Sequence, residues 1–151
     1  VRALTDRLLP LAAGVTPNIP EAEKLTGMKI SGQADKREAA RRLAGFGARY
    51  VIVKGGHDPG EEAVDLLFDG RDFIEMAGPR IPTPNTHGTG CTFSAALAAG
   101  LASGLDVEAA ARQAKAFIQA AIEDGIRIGS GHGPTNHWAY RLRASSAARN
   151  H

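Results

Sequence analysis

The chain has 151 residues, of which 43% are hydrophobic and 23% are charged, and its formal net charge is +2 at pH 7. This composition indicates one folded domain and excludes a disordered chain, and the near-neutral charge gives no reason to expect a nucleic-acid partner. No apolar run approaches the roughly 18 residues of a membrane-spanning helix. The single cysteine excludes an internal disulfide and fits a reducing cytoplasm.

The first part of the chain predicts helices around one short strand. Leucines at helical spacing open the chain without a capping signal, and Val1 is not an initiator methionine. We therefore expect a piece of a longer protein. Residues 12–17, AAGVTP, predict a short buried strand. Residues 19–27, IPEAEKLTG, predict a short helix that ends at Gly27.

The middle of the chain predicts a helix, a buried strand and a hairpin. Residues 34–47 predict a helix with one apolar face, and Asp35 and Glu38 form a possible capping box at its start. Residues 48–56, ARYVIVKGG, are a β-branched run typical of a central, buried parallel strand. Residues 62–78 predict two antiparallel strands joined by the turn sequence DGRD.

The last part of the chain predicts two helices between loops. Residues 79–90 form a Pro/Gly-rich loop, a helix follows over residues 89–103, and another begins at Asp106. Residues 129–137, GSGHGPTNH, are a glycine-rich loop, and residues 141–151 are expected to be a disordered tail. Because strands alternate with helices, the fold class is α/β, with helices on both faces of a mainly parallel sheet whose antiparallel part is the hairpin.

The stretch Asn85–Ala96, NTHGTGCTFSAA, is typical of an anion-binding site. Gly88 and Gly90 allow backbone angles that gather successive N–H groups into one concavity, and the helix behind them adds a partial positive charge. No lysine follows the last glycine, so the motif is not a P-loop. Cys91 falls in the first helical turn, which favours a thiolate that could act as a base. The alternative is a small buried hydrophobic residue.

Two other stretches carry polar groups at strand ends. Asn18 and Glu21 are three residues apart and could direct an amide oxygen and a carboxylate toward the hydration shell of one Mg²⁺, or could simply cap a helix. Lys54 ends the central strand, where it could neutralise phosphate charge or be an ordinary exposed lysine. His57 is more typical of a polar loop, and residues 129–137 either line a nucleotide base or form a surface loop.

Four segments resemble, in this order, the hydroxymethylpyrimidine/phosphomethylpyrimidine kinases of thiamine biosynthesis: VTPNIPEAEKLTG, VIVKGGHDPGEEAVDLLFDG, NTHGTGCTFSAALAAGL and GSGHGPTNH. The resemblance covers residues 8–138. Its G-T-G-C motif is quite specific, since the sugar kinases of the same superfamily carry Asp where this chain has Cys91. The resemblance implies a ribokinase-like three-layer α/β sandwich. It also implies ATP-dependent phosphorylation of 4-amino-5-hydroxymethyl-2-methylpyrimidine and then of its monophosphate.

The resemblance implies catalytic roles for the glycine-rich loop. Cys91 is expected to be the catalytic base. Gly88, Thr89 and Gly90, with the Cys91 amide, are expected to form the anion hole that stabilises the transferring phosphoryl group. Thr86 is expected to contact a phosphate.

The resemblance also implies roles for the strand-end residues. Asn18 and Glu21 match the N-x-x-E motif that organises Mg²⁺ and the phosphates, with the metal contact expected to be indirect. Lys54 matches the lysine that binds the phosphates of ATP. Together these residues are expected to bind ATP and Mg²⁺ in a cleft shared with the glycine-rich loop.

The resemblance implies that residues 1–140 are the C-terminal, ATP-binding part of one kinase domain, without the N-terminal strands and most of the pyrimidine pocket. Two alternatives stay open: a pyridoxal/pyridoxine kinase of the same branch, and a non-catalytic nucleotide-binding remnant. The expected partners are ATP and a small pyrimidine alcohol, with neither nucleic acid nor membrane. An unpaired sheet edge makes a homodimer a further option.

Overall fold

The computed structural model describes residues 1–56, 60–84, 86–126, 128, 130–131 and 133–147, which fall into two units, Val1–Arg80 and Ile81–His151. The first unit holds the sheet, and the second holds three of the five α-helices found in these ranges. None of the helices so described is both long and apolar enough to cross a membrane.

The first unit is built on a mixed sheet whose strand order follows the chain. Its strands are β1 (Gly14–Val15), β2 (Tyr50–Val53), β3 (Asp65–Phe68) and β4 (Phe73–Met76). β1 and β2 are parallel, whereas β3 is antiparallel to both β2 and β4. The prediction of a mainly parallel sheet is therefore wrong for the described residues, in which one of the three strand pairings is parallel.

The connection that follows β2 explains this difference. A parallel return needs a crossover of about a dozen residues or more, usually containing a helix. Between Val53 and Asp65 the described residues contain no helix, so β3 returns antiparallel beside β2. The predicted hairpin between β3 and β4 is confirmed. In its turn the Asp69 carboxylate accepts hydrogen bonds from the Asp72 and Arg71 N–H groups at 2.7 and 2.8 Å, which lower the pKa of Asp69.

The predicted central strand is confirmed in β2. Val51, Ile52 and Val53 are fully buried, and β2 lies between β1 and β3. Tyr50 and Lys54, at the two ends of the run, are only half-buried. Because side chains alternate across a strand, Val51 and Val53 share one face. That face packs against two helices in a cluster of buried side chains: Ala22, Ala40, Leu43, Val51 and Val53.

These two helices are α1 (Ile19–Thr26) and α2 (Gln33–Gly45). α1 ends as predicted, because Gly27 adopts the left-handed conformation, with φ of 71°, that closes a helix. The predicted capping box of α2 is wrong. The helix begins two residues before Asp35, whose carboxylate instead accepts a hydrogen bond from the Ser31 N–H at 2.9 Å.

The second unit contains α3 (Thr89–Ala102), α4 (Val107–Glu123) and α5 (Ala139–Ala147). The predicted start and end of α3 and the predicted start of α4 are confirmed to within a residue. Asp106 caps α4 by accepting a hydrogen bond from the Ala109 N–H at 2.8 Å. α3 and α4 approach closely at Gly100, where an added Cβ would lie 3.0 Å from the Ala110 side chain.

The C-terminal helix differs from the disordered tail predicted from residue 141. α5 continues through Ala147, and residues 148–151 lie outside the described residues. The Arg143 guanidinium forms ion pairs with Glu123 and Asp124 at the end of α4. These contacts depend on the meeting of two distant segments, which the polar composition of the tail does not reveal.

Candidate functional site

Asn18 and Lys54 are neighbours beyond the ends of the two parallel strands. They form a parallel bridge, and the Lys54 N–H donates to the Pro17 carbonyl at 2.8 Å. Both side chains are half-buried. The carboxyl ends of parallel strands are where ligands of open α/β sheets bind. The structure therefore brings together two of the residues selected from sequence and places them at the expected edge.

Asn18 and Glu21 form a complete capping box at the start of α1. The Asn18 Oδ1 accepts from the Glu21 N–H, and the Glu21 Oε2 accepts from the Asn18 N–H, both at 2.8 Å. The simple capping role considered from sequence is therefore present. Glu21 is exposed at this helix start, where its negative charge is favoured by the helix dipole.

The chain that follows Lys54 is fixed by residues that the sequence reasoning missed. The buried Asp65 carboxylate accepts a hydrogen bond from the Gly55 N–H at 2.7 Å, and the buried Lys36 Nζ donates to the Val64 carbonyl at 3.2 Å. The sequence contains a pattern that could have indicated the roles of Asp65 and Lys36. Asp65 opens an otherwise apolar strand, and Lys36 lies at helical spacing with the buried face of α2, so each needs a polar partner.

The glycine-rich loop forms the mouth of α3 as predicted. Gly88 takes the left-handed conformation, with φ of 85°, directly before the first helical residue. The Thr86 carbonyl accepts hydrogen bonds from the Thr89 hydroxyl at 2.6 Å and from the Thr89 N–H at 3.3 Å. Within the described ranges no side chain caps this helix. The Thr89 N–H is thus used inside the loop, which leaves the Gly90 and Cys91 amides as the first-turn donors.

Cys91 is an exposed free thiol in the first turn of α3. The alternative of a small buried hydrophobic residue is therefore wrong. Two polar neighbours of Cys91 on the helix already have hydrogen-bond partners. The Ser94 hydroxyl donates to the Gly90 carbonyl at 3.0 Å, and Thr92 Oγ1 lies 2.9 Å from His137 Nε2. The thiol is accessible to a reactant that binds at the helix mouth.

The second glycine-rich loop lies beside the first. His87 and Pro134 form a parallel bridge, and the Thr92–His137 contact joins the same two segments. The Asn136 N–H donates to the Ala121 carbonyl at 2.8 Å, which ties the loop to the end of α4. The loop is therefore adjacent to the helix mouth rather than remote from it.

The predicted site residues thus form two groups, one in each unit. Asn18, Glu21 and Lys54 lie together in the first, and the loop from Thr86 to Cys91 lies in the second. That both groups face one cleft stays a prediction, and His57 lies outside the described residues. In the part of the chain that the structure describes, no three His, Cys, Asp or Glu side chains gather as a metal site.

Comparison with protein families gives one match over most of the chain. The family model described as Phosphomethylpyrimidine kinase matches residues 1–136. The hydroxymethylpyrimidine/phosphomethylpyrimidine kinase of Bacillus subtilis is 47% identical over 150 residues, which are 99% of this chain and 55% of that protein. The protein of the same name from Haemophilus influenzae is 52% identical over 145 residues, 93% of this chain and 54% of that protein.

A solved structure gives a similar result. The ADP complex of Bacillus subtilis pyridoxal kinase superimposes with a TM-score of 0.88 at 45% sequence identity, covering 93% of this chain and 55% of that one. The chain therefore has part of an α/β kinase fold. It spans about half the length of these curated relatives.

Proposed function

The chain belongs to the phosphomethylpyrimidine kinase family, and from that membership we propose that it is the ATP-binding part of a thiamine-precursor kinase. The kinase phosphorylates 4-amino-5-hydroxymethyl-2-methylpyrimidine and then its monophosphate. The whole enzyme is a ribokinase-like three-layer sandwich with helices on both faces of the sheet. Further parallel strands come from the part of the relatives that this chain does not match. A cytoplasmic location keeps its thiol reduced.

The observation that carries this proposal is the mouth of α3. The first N–H groups of a helix have no partner within the helix, and they attract anions. Among the described residues no side chain caps this end, and an exposed thiol lies in the first turn. The Gly90 and Cys91 amides thus suit a phosphoryl group, within reach of a base on the same turn.

The reaction transfers one phosphoryl group to one hydroxyl. The hydroxyl oxygen of the pyrimidine alcohol attacks the γ-phosphorus of ATP in line, the bond from that phosphorus to the leaving ADP oxygen breaks, and Cys91, as the general base, takes or relays the hydroxyl proton. The amides at the mouth of α3 stabilise the charge that develops on the transferring group.

Lys54, Thr86 and the N-x-x-E residues bind the rest of the triphosphate. Lys54 places a cation at the strand edge, and the Thr86 hydroxyl contacts a phosphate oxygen. Asn18 and Glu21 suit Mg²⁺ because both supply oxygen ligands. The single side-chain oxygen of Asn18 and one of the two of Glu21 are used in the capping box, so contact through water fits best. When bound, Mg²⁺ neutralises phosphate charge.

A second candidate is pyridoxal kinase activity, which is favoured by the 45% identity to the Bacillus subtilis enzyme. The test is a phosphotransfer assay on the protein that carries this sequence, with the pyrimidine alcohol and pyridoxal as competing acceptors. We expect faster phosphorylation of the pyrimidine. Preferential phosphorylation of pyridoxal would support the second candidate. ATP binding without transfer to either acceptor would indicate a nucleotide-binding remnant.

A further inference from the structure

The end of β2 passes very close to the start of β3. A Cβ added to Gly55 would lie 2.1 Å from the Val64 carbonyl oxygen, so only glycine fits there without displacement of the backbone. The Gly55 N–H donates to the buried Asp65 carboxylate at 2.7 Å. Gly55, directly after Lys54, is thus held by the Val64 backbone and by the Asp65 carboxylate.

Arg80 also contacts this segment. Its Nε donates to the Gly60 carbonyl at 2.8 Å, and its Nη1 donates to the Gly56 carbonyl at 2.6 Å. Its Nη2 lies 3.4 Å from the Gly55 carbonyl oxygen and 3.5 Å from that of Glu62. One guanidinium therefore contacts the backbone both directly after Lys54 and where the chain returns toward β3.

The backbone at Arg80 is itself anchored to this returning chain. The Arg80 N–H donates to the Glu61 carbonyl at 2.8 Å, and the Ala63 N–H donates to the Gly78 carbonyl at 2.8 Å. Glu62 and Pro79 form an antiparallel bridge between these bonds. The side chain of Arg80 consequently starts from a fixed position when it reaches Gly55 and Gly56.

The contacts require the shape of the guanidinium as well as its charge. Arginine has five N–H donors in a rigid plane, so it can bind several diverging carbonyls at once. Lysine has one ammonium on a flexible chain and cannot donate to the Gly60, Gly56 and Gly55 carbonyls at once as the three guanidinium nitrogens do. Arg80→Lys therefore keeps the charge and removes the geometry.

We propose that Arg80 is a positioning residue for Lys54. By binding the Gly55 and Gly56 carbonyls, it fixes the path of the backbone that leaves Lys54, and so directs the Lys54 ammonium toward the phosphates of a nucleoside triphosphate. This inference rests on the proposed phosphate-binding role of Lys54. Arg80 itself touches no reacting atom.

The test measures Mg·ATP affinity of the 151-residue chain by isothermal titration in a double-mutant cycle. The variants are Arg80→Lys, Lys54→Ala and the pair together. We expect Arg80→Lys to weaken binding about tenfold in the wild-type background and to have little further effect once Lys54 is alanine. A merely structural role would weaken binding by the same factor in both backgrounds, which would overturn the inference, as would unchanged affinity in Arg80→Lys.

Arg112→Lys is the matched control, because Arg112 also uses its guanidinium in a side-chain contact, an exposed pair with Glu108. It should bind Mg·ATP as the wild type does. Thermal unfolding checks that each variant is folded. If Arg80→Lys is not folded, Arg80→Gln is used in its place. If Lys54→Ala binds as tightly as the wild type, the phosphate role of Lys54 fails and the inference fails with it. If Lys54→Ala weakens Mg·ATP binding and Arg80→Lys weakens it by the same factor in both backgrounds, the phosphate role of Lys54 stands and only the inference about Arg80 is contradicted.

Discussion

Asn18 and Lys54 lie side by side as a parallel bridge, although a whole helical crossover separates them in the chain. The pairing of β1 with β2 brings the two residues together, and the Lys54 N–H bond to the Pro17 carbonyl continues that pairing past the strands. Helix α1 starts at the same point with its capping box. One edge of the sheet thus carries an amide, a carboxylate and an ammonium group on two short segments.

The capping box makes Asn18 a stability determinant as well as a candidate binding residue. Asn18→Ala removes the acceptor of the Glu21 N–H, and loss of such a cap costs about 1 kcal/mol in the free energy of unfolding. Asn18→Asp keeps an acceptor of similar capping strength and should unfold close to the wild type. Urea denaturation of the three proteins measures this. Equal stability of Asn18→Ala and the wild type would mean that the capping box does not form in solution.

The two glycines after Lys54 should differ in how strongly the same substitution destabilises the protein. A Cβ at Gly55 would collide with the Val64 backbone, whereas a Cβ at Gly56 meets nothing within 4 Å, and neither glycine has a positive φ. Gly55→Ala should therefore lower the free energy of unfolding by about 1–3 kcal/mol. Gly56→Ala is the matched control and should change it by less than about 0.5 kcal/mol. Similar thermal unfolding of both variants would contradict the close approach of β2 and β3.

Nucleotide should protect the thiol at the mouth of α3. Cys91 is exposed and is the chain's single cysteine, so an alkylating reagent reports on it alone. We expect saturating Mg·ATP to slow alkylation strongly, because a bound γ-phosphate would cover the first turn. Mass spectrometry of the alkylated fraction over time gives the rates. Adenosine, which lacks phosphates, is the control and should protect much less.

The same cysteine separates catalysis from binding. In the active kinase, Cys91→Ser should cut turnover by about 10²–10⁴-fold, the contribution of a general base, and leave ATP affinity nearly unchanged. Wild-type turnover in this variant would show that the base lies elsewhere. In the alkylation experiment, equal rates with and without Mg·ATP would show that no phosphate binds at the mouth of α3.

The anchoring of α5 should depend on pH. Hydrogen bonds from Arg143 and Gln119 lower the pKa of Glu123 below its ordinary value of 4.5. Because the folded-state pKa is the lower one, the stabilisation is complete above the ordinary value and is lost as the pH falls through the lowered pKa. The ¹³Cα shifts of residues 140–143 should then lose helical character at acid pH.

Glu123→Gln is the control for this pH dependence. The amide cannot titrate, so its shifts should change less than those of the wild type over the same acid range, because the Arg143–Asp124 ion pair is common to both proteins. An exposed ion pair contributes little to global stability, so the effect is expected in α5 rather than in the unfolding of the whole chain. Wild-type shifts that stay helical well below the ordinary carboxyl range would contradict the anchoring by Arg143.

Features with a local cause were predictable from the sequence. Gly27 ends α1, the DGRD turn joins β3 to β4, and Asp106 starts α4, each because a few adjacent residues determine the geometry. The glycine-rich loop before α3 was recognisable for the same reason. Its left-handed Gly88 follows from neighbouring residues, whereas the sequence left open whether Cys91 is exposed or buried.

Features that depend on distant segments were not predictable. A buried β-branched run such as Tyr50–Val53 has the same sequence pattern whether the neighbouring strand is parallel or antiparallel. The antiparallel pairing of β2 with β3 was therefore not predicted. Arg80 and Asp65 have clear roles only once the start of β3 meets the chain after Lys54. The burial of Lys36 was not predicted, because lysine is rarely buried unless it is paired and the sequence does not show its partner.

A titration with nucleotide tests directly whether one ATP molecule contacts both groups of site residues. The ¹⁵N-labelled chain is titrated with Mg²⁺ and AMP-PCP, and amide shifts are followed for Lys54 in the first unit and for Gly90 and Cys91 in the second. If ATP binds in one shared site, these three amides shift together with a single dissociation constant. Shifts in only one of the two groups, or two different dissociation constants, would contradict the shared ATP site.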